Sequence, residues 1–204
     1  MRLLIATLIF LLFGGSACGA PPATYVRDGD VIFHTSKSYQ SLAIQRATGS
    51  RYSHMGIILF RKGHPYVFEA IGTVQFTPFE KWIARGEHGR FVIKRLQDAD
   101  RILTEKGVRK LHSVALQFQG KPYDTIFNWS DSRIYCSELV WKIYDRAVGV
   151  KLGHLQKLRE FRLSDPVVRK KMVERYGSRI PLDKPVISPG QMFQCSGLIT
   201  LLEN

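Results

Sequence analysis

The sequence has few of the residues that bind metal ions in clusters. Its 204 residues include only three cysteines, Cys18, Cys136 and Cys195, which stand far apart with no paired spacing. It also has no His-Glu-x-x-His motif, the other common zinc-binding pattern. The sequence therefore predicts no metal site, and the chemistry inferred below needs no cofactor.

The sequence also has no apolar segment of the roughly 20 residues that a membrane-spanning helix needs. The apolar segment 3–13 is shorter, but it follows Arg2 and precedes a run of small residues, as in a secretory signal. We therefore predict that residues 1–20 are a signal peptide and that the protein is exported to the periplasm or cell envelope. Because Cys18 follows small residues, as the lipidated cysteine of a bacterial lipoprotein does, the segment is read either as a cleaved leader or as a lipoprotein signal.

Acidic residues are scarce, since 17 Asp and Glu stand against 30 Lys and Arg and give a formal net charge of +13. Such a field favours anionic partners, such as membranes with acidic lipids or cell-wall polymers. Nucleic acid is disfavoured, because the chain carries an export signal and no recognised nucleic-acid-binding motif. Cations concentrate in segments 151–162 and 169–176. The second segment is interpreted either as a docked amphipathic helix with a solvated basic face or as a surface that attracts anionic phospholipid headgroups. Its predicted apolar face comprises Val168, Met172, Val173 and Tyr176.

The rest of the chain predicts one α+β domain over residues 25–204. Its composition, 45% hydrophobic and 23% charged, is that of an ordinary globular domain with a sizeable core. Hydrophobic periodicity predicts strands at 29–33, 54–60, 66–70, 74–77 and 90–95. It predicts helices at 38–47, with Leu42, Ala43 and Ala47 inward, at 79–84 and at 104–118. The expected result is a small antiparallel sheet packed on helices.

A further predicted helix begins at Cys136. Its apolar stripe comprises Leu139, Val140, Ile143, Tyr144 and Ala147. The backbone N–H groups and the positive dipole at a helix N-terminus stabilise a thiolate, so Cys136 is a candidate nucleophile. Two alternatives stay open at this point: a small buried hydrophobic residue, and a disulfide partner of Cys195 in an oxidising periplasm.

A nucleophilic thiol needs a base, and His54 stands at the start of a strongly apolar strand. The next strand carries Glu69, a charge that is costly in an apolar strand unless it is paired. The link between them, 61–65, contains Gly and Pro and is of hairpin size. Two antiparallel strands would set Glu69 beside His54 if both side chains face the same way. A carboxylate that holds an imidazole, which in turn holds a thiol, is the arrangement of a catalytic triad.

These residues and their neighbours resemble the NlpC-type papain-like cysteine hydrolases, in the circularly permuted branch of YiiX/YaeF-like permuted papain-like amidases. Five motifs carry the resemblance from about residue 27 to residue 190. They are Gly29-Asp30-Val31-Ile32-Phe33, Ser53-His54-Met55-Gly56-Ile57, Phe68-Glu69-Ala70, Gly120-Lys121-Pro122-Tyr123 and Cys136-Ser137-Glu138-Leu139-Val140. The histidine and glutamate precede the cysteine, the reverse of the unpermuted enzymes, as the permuted branch implies. Unpermuted relatives often carry His or Asn where this chain has Glu69.

The resemblance implies a circularly permuted papain-like fold with catalytic Cys136, His54 and Glu69. It also implies that the hydroxyl of Tyr123, with the backbone N–H of Cys136, stabilises an oxyanion, although Tyr123 is equally read as a packing residue. Asp30 is interpreted as a hydrogen-bond acceptor at a strand start, with a substrate-amine partner as the alternative.

The implied function is an envelope cysteine hydrolase that cleaves an amide bond, peptide or N-acyl, through an acyl-thioester intermediate. Its substrate would be a peptide or acyl amide derived from the cell wall or from lipid. One alternative is a lipid acyl hydrolase or acyltransferase with the same triad, favoured by apolar residues near the site, such as Phe33, Phe127 and Trp129, and by the basic surface. The other is an envelope binding protein without turnover.

Overall fold

The computed structural model describes residues 25–204, which form an antiparallel sheet with helices on both faces. The strands are β1 (Val31–His34), β2 (His54–Arg61), β3 (His64–Ile71), β4 (Thr73–Pro78), β5 (Val92–Leu96), β6 (Gln156–Lys157), β7 (Pro185–Val186) and β8 (Leu198–Glu203). The helices are α1 (Ser41–Thr48), α2 (Phe79–Ala84), α3 (Ala99–Ile102), α4 (Glu105–Phe118), α5 (Cys136–Val148), α6 (Pro166–Tyr176) and α7 (Pro189–Phe193). Two short 3-10 helices lie at Glu87–Gly89 and Leu158–Glu160.

The sheet has six strands in the order β4-β3-β2-β1-β5-β8, and β6 and β7 form a separate pair. The central strands are buried on both sides because each face of the sheet is covered. One face meets α4 and α5 in the larger core cluster, in which Ile57 and Phe68 pack with Leu139 and Ile143. On the other face Ile58 packs with residues of α2 in a smaller cluster. Since alternate residues of a strand face opposite sides, the sequence reads as the continuous apolar run typical of a doubly covered strand.

Helices α4 and α5 pack on each other and position the site. The hydroxyl of Thr104 accepts the backbone N–H of Gly107 and caps the start of α4, and Gly120, with φ of 80°, follows its end. All five residues of the apolar stripe predicted for the Cys136 helix are buried, and α5 contacts β2 and β3. Because this stripe packs on the sheet, the first residue of α5 lies near the edge of the sheet where β2 begins.

The fold class predicted from the sequence is confirmed: the chain combines helices with an antiparallel sheet, and every predicted strand and helix is present within a few residues of its expected bounds. The sheet is larger than expected because β8, a C-terminal strand beside β5, was not predicted. Two side-chain predictions were wrong. Leu42 is 48% exposed and Val173 is 52% exposed, because α1 and α6 face each other through Ala43 and Met172 instead.

The predicted signal peptide and Cys18 lie outside the described residues. Within residues 25–204, no helix has the length and apolar character needed to cross a bilayer.

Gly56 of β2 stands between two buried apolar residues, where the neighbouring strand leaves no room for a side chain. A Cβ built there would lie 2.4 Å from Val67 Cγ1 and 2.9 Å from the carbonyl oxygen of Phe68. We therefore predict that Gly56→Ala lowers the free energy of unfolding by about 1–3 kcal/mol, because the neighbouring strand must move. Urea denaturation measures the change. Gly197→Ala is the matched control, since its added Cβ makes only ordinary contact with Cys195 Sγ at 3.7 Å, and an equal loss in both variants would contradict the packing argument.

Candidate active site

The cysteine lies at the first position of α5, as predicted. Cys136 is 3% exposed, and the carboxylate of Glu138 accepts the backbone N–H of Tyr135 before it. The hydroxyl of Ser137 donates to the carbonyl of Ile187 at 2.8 Å, and the N–H of Ile187 donates to the Tyr135 hydroxyl at 3.1 Å. These bonds fix the start of the helix against the segment before α7. The N–H of Cys136 belongs to the first turn, where backbone donors have no partner within the helix and are available to an oxyanion.

The histidine and the glutamate are brought together by the pairing of β2 and β3. In that register Ile57 is opposite Phe68, which places Glu69 next to Gly56 and two residues from His54. Because Gly56 has no side chain, the Glu69 side chain reaches past it toward the start of β2. His54 Nε2 lies 2.6 Å from Glu69 Oε2. The juxtaposition expected from the sequence is therefore present, and Nδ1 is the ring nitrogen left for the thiol.

The Glu69 carboxylate is fully buried and accepts hydrogen bonds from three more side chains. Trp82 Nε1 on α2 donates to Oε2 at 2.9 Å, and Thr77 Oγ1 on β4 donates to Oε1 at 2.5 Å. Arg85, which follows α2, donates through Nη2 to Oε1 and forms an ion pair. A buried charge is tolerated when its lone pairs are satisfied in this way. The carboxylate is thus held in one place and holds His54 in turn.

The electrostatics of the pair favour a charged imidazole. Burial alone would lower the pKa of His54, but its hydrogen bonds to Cys136 and Glu69 outweigh burial and raise that pKa to about 9. Burial would likewise raise the pKa of Glu69, yet the hydrogen bonds from His54 and Thr77 and the charge of Arg85 hold it below its ordinary value. Glu69 is therefore ionised and His54 protonated at neutral pH, the state in which an imidazolium stabilises a thiolate.

Tyr123 is held beside this pair by the loop that connects α4 to α5. Its backbone N–H donates to the carbonyl of Gly72 at 2.8 Å, and its carbonyl accepts Arg133 Nη2 at 2.9 Å. The buried Asp124 accepts two backbone N–H groups of the loop and fixes the turn that follows. The Tyr123 hydroxyl accepts Gln40 Nε2 at 3.2 Å, which leaves its own hydrogen free to be donated. Burial raises the pKa of this phenol, so it stays protonated.

Two cavities meet at Tyr123. The first, of about 60 Å³, is bordered by Cys136 and lined mainly by apolar residues of α1, α6 and the segment before α7, with Arg175 of α6 also at its border. The second is an open cleft of about 660 Å³ that is bordered by His54 and by polar residues around the start of α1. The thiol and the imidazole therefore face different surroundings, apolar on one side and polar on the other.

Three residues of the site were not predicted from the sequence. Trp82 of α2 and Arg85, which follows that helix, both donate to Glu69 and lie outside the five motifs. His34 at the end of β1 stacks on Trp82, with ring centroids 4.0 Å apart, and pairs across the strands with His54. Burial and the nearby positive charges of His54 and Arg85 lower the pKa of His34 far below its usual range, so this ring is neutral. The only sequence feature that could have pointed to His34 is its position directly after the first motif.

The other polar candidates lie elsewhere. Asp30 forms an ion pair with Arg95, with two contacts of 2.7 Å, and accepts the backbone N–H of Arg27 at 2.8 Å. It is thus the strand-start acceptor that the first interpretation expected. Cys136 and Cys195 are both free thiols in this structure. Among residues 25–204 no group of His, Cys, Asp or Glu is arranged to hold a metal ion.

Together, a helix-borne cysteine and a strand-borne histidine and glutamate, in this chain order, define a circularly permuted papain-like protein. Comparison with protein families agrees. Residues 25–202 match the family described as permuted papain-like amidase enzymes of the YaeF/YiiX, C92 type. The chain belongs to this family of papain-like cysteine hydrolases.

Two relatives show how similar the chain is to other members. It is 49% identical over 173 residues to YiiX of Escherichia coli strain K12, an uncharacterized protein, and the match covers 85% of this chain and 84% of YiiX. It is also similar to the crystal structure of the metalloprotein YiiX from Escherichia coli O157:H7. That structure superimposes with a TM-score of 0.83 at 48% identity over 87% of this chain and 97% of the other.

The Cys136–His54 contact predicts a reactive thiol. We expect iodoacetamide to alkylate Cys136 rapidly at pH 7, and His54→Ala to slow that reaction at least tenfold, because the imidazolium no longer stabilises the thiolate. Near pH 10, where any free thiol is ionised, the two proteins should react alike. Peptide mass spectrometry after timed labelling assigns the modification to Cys136.

His112→Ala is the matched control for this measurement. His112 pairs with Asp28 at 2.6 Å, away from the cavities that border the site, so its loss should leave the alkylation of Cys136 unchanged. A Cys136 that reacts slowly at pH 7 in the wild-type protein would rule out the thiolate and the nucleophile with it.

Proposed function

We propose that this protein is a cysteine hydrolase of the cell envelope that cleaves an amide bond through Cys136, His54 and Glu69. One observation carries the proposal: a fully buried carboxylate holds an imidazole at 2.6 Å, and that imidazole interacts with a thiol at a helix N-terminus. The envelope location rests on the sequence of residues 1–20, and fractionation of cells that express the full chain tests it.

The first step forms a thioester. The Cys136 thiolate attacks the carbonyl carbon of the amide, and the carbonyl oxygen becomes an oxyanion. The N–H of Cys136 and the hydroxyl of Tyr123 donate to that oxygen. The C–N bond then breaks as His54 gives its proton to the departing nitrogen, and the amine leaves.

The second step returns the enzyme to its starting state. His54, now neutral, takes a proton from water as the water attacks the thioester carbonyl. The C–S bond breaks, the carboxylic acid leaves, and the thiolate and imidazolium are restored. Glu69 stabilises the imidazolium and fixes the ring tautomer throughout.

The apolar cavity favours a particular acyl group. It opens onto Cys136, and its borders include Ala43, Ile44, Val168 and Met172. An acyl chain bonded to the cysteine would fit such surroundings better than a charged peptide would, because Arg175 is the one charged side chain among the described residues that border the cavity and the rest of the lining is mainly apolar. This observation favours the second candidate function, hydrolysis of a lipid-derived acyl amide or ester by the same residues.

A substrate series separates the two candidates. We predict that the protein hydrolyses N-acyl amino acids and that kcat/KM rises from acetyl to octanoyl, because each buried CH2 adds about 0.8 kcal/mol. Product release is measured by liquid chromatography, and the acyl group on Cys136 by mass spectrometry after acid quenching. Cys136→Ala should abolish both signals. A preference for cell-wall peptides over every fatty acyl compound would contradict the lipid candidate and keep the peptidase.

The raised pKa of His54 predicts the alkaline limit of activity. The protonated imidazole persists up to about pH 9, so kcat/KM should fall above that pH, where no proton remains for the leaving group. In Glu69→Gln the carboxylate that raises this pKa is lost, and the alkaline limit should move to lower pH. A pH profile of both proteins, with circular dichroism to show that the variant folds, measures the shift. An unchanged limit would show that Glu69 does not act on His54.

A further inference from the structure

The open cleft lies on the side of the site where the leaving group must be. His54 borders this cleft and Cys136 borders the apolar cavity, while Tyr123 borders both. In the proposed reaction the acyl group stays on the thiol, and the departing nitrogen takes its proton from the imidazole. The leaving group therefore occupies the cleft when the C–N bond breaks.

The borders of the cleft contain cations and hydroxyl groups. Its two permanently charged side chains are Lys37 and Arg85, and its neutral polar side chains include those of Ser36, Ser38, Gln40, Tyr123 and Thr125. Among the described residues that border it, none is an aspartate or a glutamate.

Positive charge exceeds negative charge at the surface of the cleft. The Glu69 carboxylate is paired with both His54 and Arg85, and it is fully buried whereas the Arg85 side chain is 35% exposed. The Nε of Arg85 has no hydrogen-bond partner within residues 25–204. Lys37 is exposed and forms no ion pair in this part of the chain. An anion in the cleft would meet positive charge without an opposing carboxylate on the surface.

We propose that this cleft binds an anionic leaving group, so that the substrate is an acyl amide whose amine portion carries a carboxylate or a phosphate. This inference rests on the proposed function, which places the acyl group in the apolar cavity and the leaving group in the cleft. The bond that breaks joins the acyl carbon to nitrogen, the proton comes from His54, and the product that leaves through the cleft is an amino acid or a phosphorylated amine. Water completes the reaction by releasing the fatty acid.

The test compares substrates that differ only in charge. We expect kcat/KM for N-octanoyl-glycine to exceed that for neutral N-octanoyl-glycinamide by about tenfold, and the preference to shrink as salt is added. Lys37→Ser should lower kcat/KM for the anionic substrate roughly threefold to tenfold, mainly through KM, and so reduce the preference for the anionic over the neutral substrate. Lys110→Ser is the matched control, because Lys110 is an exposed residue of α4 that does not border the cleft, and it should change neither.

Further outcomes decide the source of the anion and separate the two proposals. A larger gain for N-octanoyl-phosphoethanolamine over N-octanoyl-ethanolamine than for the glycine pair would assign the cleft to a phosphate. Binding to Cys136→Ala, measured by calorimetry, tests the charge preference without turnover. Equal binding of N-octanoyl-glycine and N-octanoyl-glycinamide would overturn the cleft assignment even if the wild type hydrolyses both. Preferential binding with no hydrolysis by the wild type would overturn the hydrolase and keep the anion site.

Discussion

The structure depends on one buried carboxylate. Glu69 has no exposed surface, and an unpaired charge in that position would cost several kcal/mol of folding free energy. Its four donors come from β2, β4, α2 and the residue after α2. Satisfying this charge therefore ties together the elements that surround the site, and the same contacts give His54 its orientation and its positive charge.

The three site residues come from different faces of the sheet. Strands β2 and β3 carry the imidazole and the carboxylate on the face that α2 covers, and α5 carries the thiol on the opposite face. The two groups meet at the edge where β2 and α5 both begin. On one side of this point lies the apolar cavity lined by α1 and α6, and on the other lies the polar cleft lined by the loop before α1. We propose that the acyl chain and the anionic leaving group divide along this line.

Much of the site could be predicted from short motifs. Cys136, His54 and Glu69 were found because each is a polar residue at an unusual position: a helix start, a strand start and a strand interior. The structure brings the three side chains together. Trp82 and Arg85 could not be found in the same way, because Trp82 lies on a short helix and Arg85 directly follows it, and the periodicity of that helix does not show what its side chains bind. The only sequence feature that pointed to His34 was its position directly after the first motif.

The sequence by itself determined the family, most of the helix and strand pattern and the three candidate catalytic residues, because local periodicity and residue chemistry specify those features. It did not determine that Leu42 and Val173 are exposed, since both fit an apolar helical face and only the packing of α1 on α6 decides which residues lie inside. The tertiary structure alone decided the surroundings of the thiol and the imidazole. Those surroundings are built from segments more than 100 residues apart, and no local pattern encodes a contact over that separation.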